Sequence, residues 1–355
     1  MRKDLAARML RLGRTLRNVQ RLASAELSSP VSAPLRTRLW SWRRGFLTRS
    51  TKHYGATEDS RHLFVSDWAR FVKTPRINGQ FAFALDNKIV FSRILASYGC
   101  TIPEYYCLIR DGGMFQIGDT YRMRSPSDVV EACLAGAEFI VKPYTGGGGL
   151  RVMALTSDDG RLSVNWEERA REDVEAVVSR ISDGVVSQFL HQHEYASRIF
   201  PRATNTIRML TMWDYDAGEP FLAFAGHRFG TNLSVPVDNC SQGGLASPID
   251  LETGELSAAE SGNYEDEHLM HDEHPDTGER IRGVRVPRWD ATVEGLLAIC
   301  KRMAYIPYVG WDVLITPDGF AVTEGNSCPD LGHQTFTPLL KDPRVRAFYE
   351  RFGAL

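Results

Sequence analysis

The sequence predicts an α+β fold of mixed α/β character, and three observations predict it. Apolar runs of strand length alternate with helix-period stretches along the chain, and several run pairs are joined by turns short enough for antiparallel hairpins. The 355 residues are 43% apolar with a net charge of -2, a globular composition large enough for two or three subdomains. No internal repeat marks a solenoid or propeller.

The composition also excludes classes. No apolar run approaches the roughly 18 residues needed to cross a bilayer. Behind Met1-Arg-Lys-Asp-Leu there is no apolar signal core, so a cytoplasmic location is expected. The six cysteines, at 100, 107, 133, 240, 300 and 328, form no Cys-x-x-Cys pair, which argues for reduced thiols over structural zinc or disulfides.

In order, residues 1–50 form a basic amphipathic arm. Twelve Arg or Lys stand against Asp4 and Glu26, a net charge of about +10, and Leu5, Met9, Leu12, Leu16 and Leu22 recur at roughly helical spacing. Such an arm packs its leucines on the body, or lies on an anionic membrane surface as a peripheral contact at the inner membrane. Nothing resembles a nucleic-acid module. Residues 86–99 read as a helix capped by Asp86 and ended by Gly99, residues 105–109 as a strand, and 127–135 as a helix capped by Ser125 or Ser127. Strands at 138–142 and 151–155 flank a glycine loop. A helix is expected over 167–181, then strands at 185–190, 206–213 and 220–229. Residues 254–280 read as an acidic surface excursion, followed by a helix at 291–304, a hairpin at 310–326, a loop at 327–332 and a closing helix at 343–351.

Three groups carry chemistry. Lys142 precedes a loop containing Gly146, Gly147, Gly148 and Gly149; adjacent glycines let backbone N–H groups approach phosphate oxygens, although a plain hairpin is also glycine-rich. The Walker order is absent. The second group is the hairpin Gly310-Trp-Asp312 to Glu324-Gly-Asn326 around Pro-Asp-Gly. Strand alternation points Glu324 and Asn326 the same way, and a turn centred on Asp318 puts Asp312 opposite Glu324. Magnesium takes such hard oxygen donors, and manganese is a second candidate; a solvated strand face is the alternative. The third group is Arg208 within an apolar strand, Arg228 at the end of the next, and Asp238-Asn239 before Gly243-Gly244. These residues suit a phosphate, a carboxylate substrate or an acyl-phosphate, or a salt bridge for either arginine alone. His268, His271 and His274 read as solvated surface rather than a metal site, and Cys328 as a packed thiol.

With these pieces in order, the chain resembles the ATP-grasp superfamily, and more narrowly its sugar-transfer-associated family, over roughly residues 45–355. The matching stretches are Arg44-Gly45-Phe46, Asp86-x-Lys88, Ile140-Val-Lys142-Pro143 with its glycine loop, Gln192-His193, Asn205-Thr-Ile-Arg208, Val237-Asp238-Asn239 with Gly243-Gly244, Gly310-Trp311-Asp312 and Glu324-Gly325-Asn326. The resemblance implies ATP held between two α+β subdomains. It divides the chain into the arm at 1–50, a pre-grasp region at 51–135, a small subdomain with the flap at 136–190 and a large subdomain with the metal site at 191–355. It implies that Lys88 and Lys142 reach the nucleotide, that Gln188-Phe189-Leu190 form the adenine hinge, that His193 or Glu194 falls near the ribose, and that Asp312, Glu324 and Asn326 hold the metal. Gln188 replaces the glutamate common at the first hinge position. The implied activity is an ADP-forming carboxylate–amine ligase on a cell-surface sugar or amino-acid precursor. Alternatives are a phosphotransferase using Asp238 as base, or a non-catalytic nucleotide-binding protein. The sequence does not identify the carboxylate, the amine or the oligomeric state.

Overall fold

The computed structural model describes residues 2–29, 31–117, 123–144, 149, 151–261 and 269–355. Fifteen strands among these residues form two antiparallel sheets. The first sheet holds β1 (Tyr105–Arg110), β2 (Gly113–Gln116), β3 (Met123–Arg124), β4 (Phe139–Lys142), β5 (Met153–Asp158), β6 (Arg161–Val164), β7 (Glu167–Glu168) and β8 (Gly184–Gln188), in the order β3-β2-β1-β8-β4-β5-β6-β7. The second holds β9 (Ile207–Asp214), β10 (Glu219–Phe229), β11 (Leu245–Pro248), β12 (Ala259–Ser261), β13 (Met270–His271), β14 (Tyr308–Thr316) and β15 (Gly319–Asn326), in the order β13-β12-β11-β10-β9-β14-β15. The observed class is thus α+β.

The first sheet buries one face under the helices Pro126–Leu134 and Arg171–Ser179, where Val129, Val130, Val174 and Val178 meet Ile109, Val141 and Val186. The second sheet is covered on both faces. Strand alternation sends Ile207 and Met209 of β9 into one core with Trp311, Val313 and Leu296. It sends Leu210 and Met212 into the other, with Phe348 and Tyr349 of the Pro343–Arg351 helix. Arg208 lies on that second face, where the apolar stripe of β9 stops.

The hairpin β14–β15 has the expected pairing of Asp312 with Glu324, but reaches it differently. Its turn spans Pro317-Asp318, which pairs Val313 with Val322, and a register shift at Thr323 then sets Glu324 opposite Asp312. The bulge decides whether the two acids meet.

Elsewhere the structure departs from the sequence reading. The helix expected over 86–99 runs Lys88–Ser97, after a separate short helix Ala82–Asp86, and its cap is Asn87, whose Oδ1 accepts from the N–H groups of Ile89 and Val90, both at 3.1 Å. Asp86 instead accepts from Ser327 Oγ at 2.6 Å. In 167–181 the helix begins at Arg171, because Asn165 and Trp166 adopt positive φ and turn Glu167 and Glu168 into β7. The stretch 254–280 is not a plain surface excursion. Leu256, Ala258, Ala259 and Ile281 are buried, and β12 and β13 extend the sheet. His274 is buried, not solvated: its Nε2 pairs with the Gly230 carbonyl at 2.8 Å and its ring stacks on Phe200. His268 lies outside the described residues.

The arm forms the helices Arg2–Leu27 and Leu35–Arg43. It is anchored by Glu26, which is buried and accepts from the Thr48 N–H at 2.8 Å and from Thr48 Oγ1 at 2.6 Å. Asn18 Nδ2 donates to the Phe71 carbonyl at 2.7 Å.

Trp311 of β14 is fully buried in the core under the second sheet and donates from Nε1 to Thr211 Oγ1 at 2.8 Å. Trp311→Ala is expected to cost about 3–5 kcal/mol, read as a lower urea midpoint; a midpoint unchanged from wild type would contradict this packing.

Candidate active site

Between the two sheets lies a cavity of about 470 Å³. One wall comes from β4 and the end of β8, the other from β9, β10 and the β14–β15 hairpin. Its apolar part is formed by Pro103, Ile140, Val152 and Leu190, and its polar part is dominated by charge.

Asp312 organises the polar part. It pairs with Arg208 across β9 and β14, and its Oδ1 accepts from Arg208 Nε at 2.7 Å. Its Oδ2 accepts from an Arg228 terminal nitrogen at 3.0 Å. All three side chains are buried. Burial alone would raise the Asp312 pKa, but the two guanidiniums outweigh it and hold the carboxylate below its ordinary range. Burial opposes the Arg228 charge as well, and Asp238 and Asp312 more than restore it. Asp238 Oδ2 accepts from Thr206 N–H at 2.8 Å and Oγ1 at 2.6 Å, and lies 3.4 Å from Arg228 Nε. Arg228 Nε is buried without a hydrogen bond among the described residues.

Lys88 bridges the two walls. Its Nζ donates to Glu324 Oε1 at 3.1 Å, its N–H donates to the Tyr144 carbonyl at 3.2 Å, and its carbonyl accepts from Tyr105 Oη at 3.2 Å. The helix that carries it lies against β15 because Gly325 leaves room: a Cβ there would meet Phe91 Cζ at 2.5 Å. Lys142 faces the same cavity. Burial, with the nearby Lys88 charge adding to it and Glu324 and Asp312 opposing, pulls its pKa down to about 8.

Gly146, Gly147 and Gly148 lie outside the described residues. Gly149 has φ +67° and sits against the segment after β10, where a Cβ would meet Val237 Cγ2 at 3.0 Å and Asn239 Cγ at 3.2 Å. The end of the loop therefore meets Asn239, which lines the cavity. Of the hinge segment, Gln188 and Leu190 line the cavity. The N–H groups of Gln188 and Phe189 are already bonded to Glu104 and Glu138, at 2.7 and 2.9 Å, while that of Leu190 has no partner among the described residues. Phe189 turns to the outer side, edge-on to His191. His193 does not line the cavity; its Nδ1 caps the Glu194–Ile199 helix through the Tyr195 N–H. Thr206 and Arg151 line the cavity and were not singled out from the sequence. Arg151 was visible as a cation closing the glycine loop, whereas nothing in the sequence marks Thr206.

Asp312, Glu324 and Asn326 all line the cavity. Two carboxylates and an amide on paired strands are a hard-oxygen donor set. Among the described residues no group of three or more His, Cys, Asp or Glu could hold a metal alone. A cation here would complete its shell from phosphate oxygens and water, as magnesium does, and the set fits it.

The family model for sugar-transfer-associated ATP-grasp proteins matches residues 70–338. The chain belongs to that family. No curated protein sequence matches it. Among solved structures it is similar to the ATP-grasp ligase PsnB complexed with a minimal precursor, at 14% identity and TM-score 0.38, covering 76% of this chain and 62% of that one. It is also similar to N5-carboxyaminoimidazole synthetase from Staphylococcus aureus complexed with ADP, at 10% identity and TM-score 0.41, covering 75% and 52%. The D-alanine–D-alanine ligase from Coxiella burnetii follows at 10% and 0.38, covering 79% and 60%. The chain thus spans between half and two thirds of the length of these structures.

Lys142 generates a pH prediction. Its ammonium is present below about pH 8 and is lost above it, so its contribution to binding a phosphate is lost as pH rises. ATP affinity should fall as pH rises above about 8, by at most tenfold per unit, and Lys142→Arg should flatten that slope. Equal slopes in titrations of the two proteins would contradict the assignment.

Proposed function

We propose that the chain is an ATP-dependent carboxylate–amine ligase that works through an acyl-phosphate and releases ADP. The observation that carries this reading is the cavity's charge: Lys88, Lys142, Arg151, Arg208 and Arg228 against Asp238, Asp312 and Glu324. The surplus of cations suits a polyphosphate. Among the described residues that line the cavity there is no Cys, Ser187 Oγ donates to the Ile140 carbonyl at 3.2 Å, and the Lys88 ammonium is ion-paired with Glu324, so the reading takes both reactants from solution.

In the proposed reaction a substrate carboxylate oxygen attacks the γ-phosphorus, and the bond to the ADP oxygen breaks. An amine then attacks the acyl carbon, loses a proton and displaces phosphate. A divalent ion held by Asp312, Glu324 and Asn326 would neutralise phosphate oxygens. Lys142 and Arg208 supply positive charge where the transferring phosphoryl develops negative charge. Leu190 offers its free N–H to the base beside the apolar wall. Arg228, oriented by Asp238, presents a second cation. The description of the family as sugar-transfer associated supports a cell-surface sugar or amino-acid precursor as substrate.

A phosphotransferase would need a base at its acceptor, and Asp238 was the candidate. Its Oδ2 is engaged by Thr206 and Arg228, which suits positioning better than proton transfer.

The test is product analysis with pooled acids and amines, with hydroxylamine as a trap for the acyl-phosphate. ADP with a hydroxamate is expected, whereas AMP with pyrophosphate would overturn the mechanism. Glu324→Gln should lower kcat by about 10²–10³-fold with only a modest fall in melting temperature, since the Glu324 side chain is 22% exposed and the amide oxygen can still accept from Lys88. Asp312→Asn is a poorer probe of the metal site than Glu324→Gln. It would leave Arg208 and Arg228 buried beside a neutral partner, a change that costs about 3–5 kcal/mol.

A further inference from the structure

A second cavity, about 570 Å³, shares no lining residue with the first and lies where the N-terminal arm meets the C-terminal helix. Arg43, Arg44, Arg61, Lys73 and Arg346 line it, and no Asp or Glu does among the described residues. Glu58 pairs with Arg44 and, at 3.0 Å, with Arg61, and so offsets part of this charge. Among the described residues Arg346 donates only to backbone carbonyls, those of His62 at 2.8 Å and Leu340 at 3.3 Å, and Lys73 to Leu355 O at 3.3 Å. Arg44 Nε is buried without a hydrogen bond among the described residues.

Beside this cavity the Leu35–Arg43 helix presents an unpartnered apolar face. Leu35, Leu39 and Trp42 recur at i, i+4 and i+7 and are 67%, 42% and 45% exposed. Arg36, Arg38 and Arg43 flank them, and among the described residues only Arg38 has an acid within 4 Å, Glu26 at 3.9 Å. Trp42 belongs to both features, since it also lines the cavity with Trp68, itself 41% exposed.

We propose that this face docks on an anionic lipid bilayer, with Leu35, Leu39 and Trp42 in the interfacial layer and a lipid phosphate in the basic cavity. Charge and apolarity together select this occupant. A bilayer carrying acidic lipids offers phosphates directly above apolar chains, which matches cations set beside exposed leucines and tryptophans. A nucleic acid would satisfy the arginines and leave the leucines in water. No helix among the described residues is long and apolar enough to cross a membrane, so the contact is at the surface. The proposal is independent of the ligase reading.

The experiment is co-sedimentation of the full chain with vesicles of phosphatidylcholine alone or with added phosphatidylglycerol. Binding is expected only to the anionic vesicles and should weaken with salt. Arg43→Gln with Arg346→Gln should reduce the partition coefficient at least about tenfold, and Leu39→Ser with Trp42→Ser should reduce it comparably. Both double variants should retain the wild-type ATP affinity, which separates lost docking from lost folding; Leu35→Ser alone, at the most exposed of these positions, is the gentler second probe. Equal binding to neutral vesicles, no binding, or binding that none of the three variants weakens would overturn the proposal. So would thermal stabilisation by inorganic phosphate without vesicle binding, which would make the cavity a site for a free anion.

Discussion

The carboxylate of Asp312, shared between two buried guanidiniums, is the constraint on which the polar wall of the cavity depends. Asp312 accepts from both buried guanidiniums and so offsets the cost of burying their charge, while they in turn hold its carboxylate ionised. Because the three residues sit on β14, β9 and β10, the cluster also ties together the strands that form that wall. Among the described residues Arg228 Nε has no hydrogen bond, so within them the cluster is charged and ordered yet incompletely satisfied. A site arranged this way need not reorganise when an anion arrives.

The lysines complete the same logic from the other wall. Lys88 is held by its backbone to Tyr144 and Tyr105, which belong to the first sheet's side, while its ammonium reaches Glu324 in the second. It therefore spans the cleft, and any relative movement of the walls must strain or break one of these bonds. Lys142 sits beside it, and burial leaves its charge easier to lose than that of an ordinary lysine. Gly325 contributes through what it lacks, because Phe91 occupies the space of a side chain and brings the Lys88 helix onto the acidic strand.

How much of this was legible in the sequence depended on whether the signal was local. The pairing of Asp312 with Glu324 followed from strand alternation and a Pro-Asp-Gly turn, although the bulge at Thr323 that completes it leaves no mark in composition. Arg208 stood out because an arginine in an apolar strand needs a partner, and that partner proved to be Asp312 from a strand more than a hundred residues on. The cap at Asn87 was misplaced by one residue, since Asp86 and Asn87 are equally good formers and only the Ser327 contact decides between them. His274 was lost in a polar stretch because its partners, Gly230 and Phe200, are distant in sequence. The role of Thr206 in holding Asp238 was invisible for the same reason.

The central claim is that two acids and an amide on one hairpin, facing a surplus of cations, form a site for a polyphosphate with its metal. Calorimetric titration of the chain with a non-hydrolysable ATP analogue, with and without Mg²⁺, tests it most directly. The account predicts one site, with affinity at least about tenfold higher when Mg²⁺ is present. No binding, or binding indifferent to the metal, would contradict it.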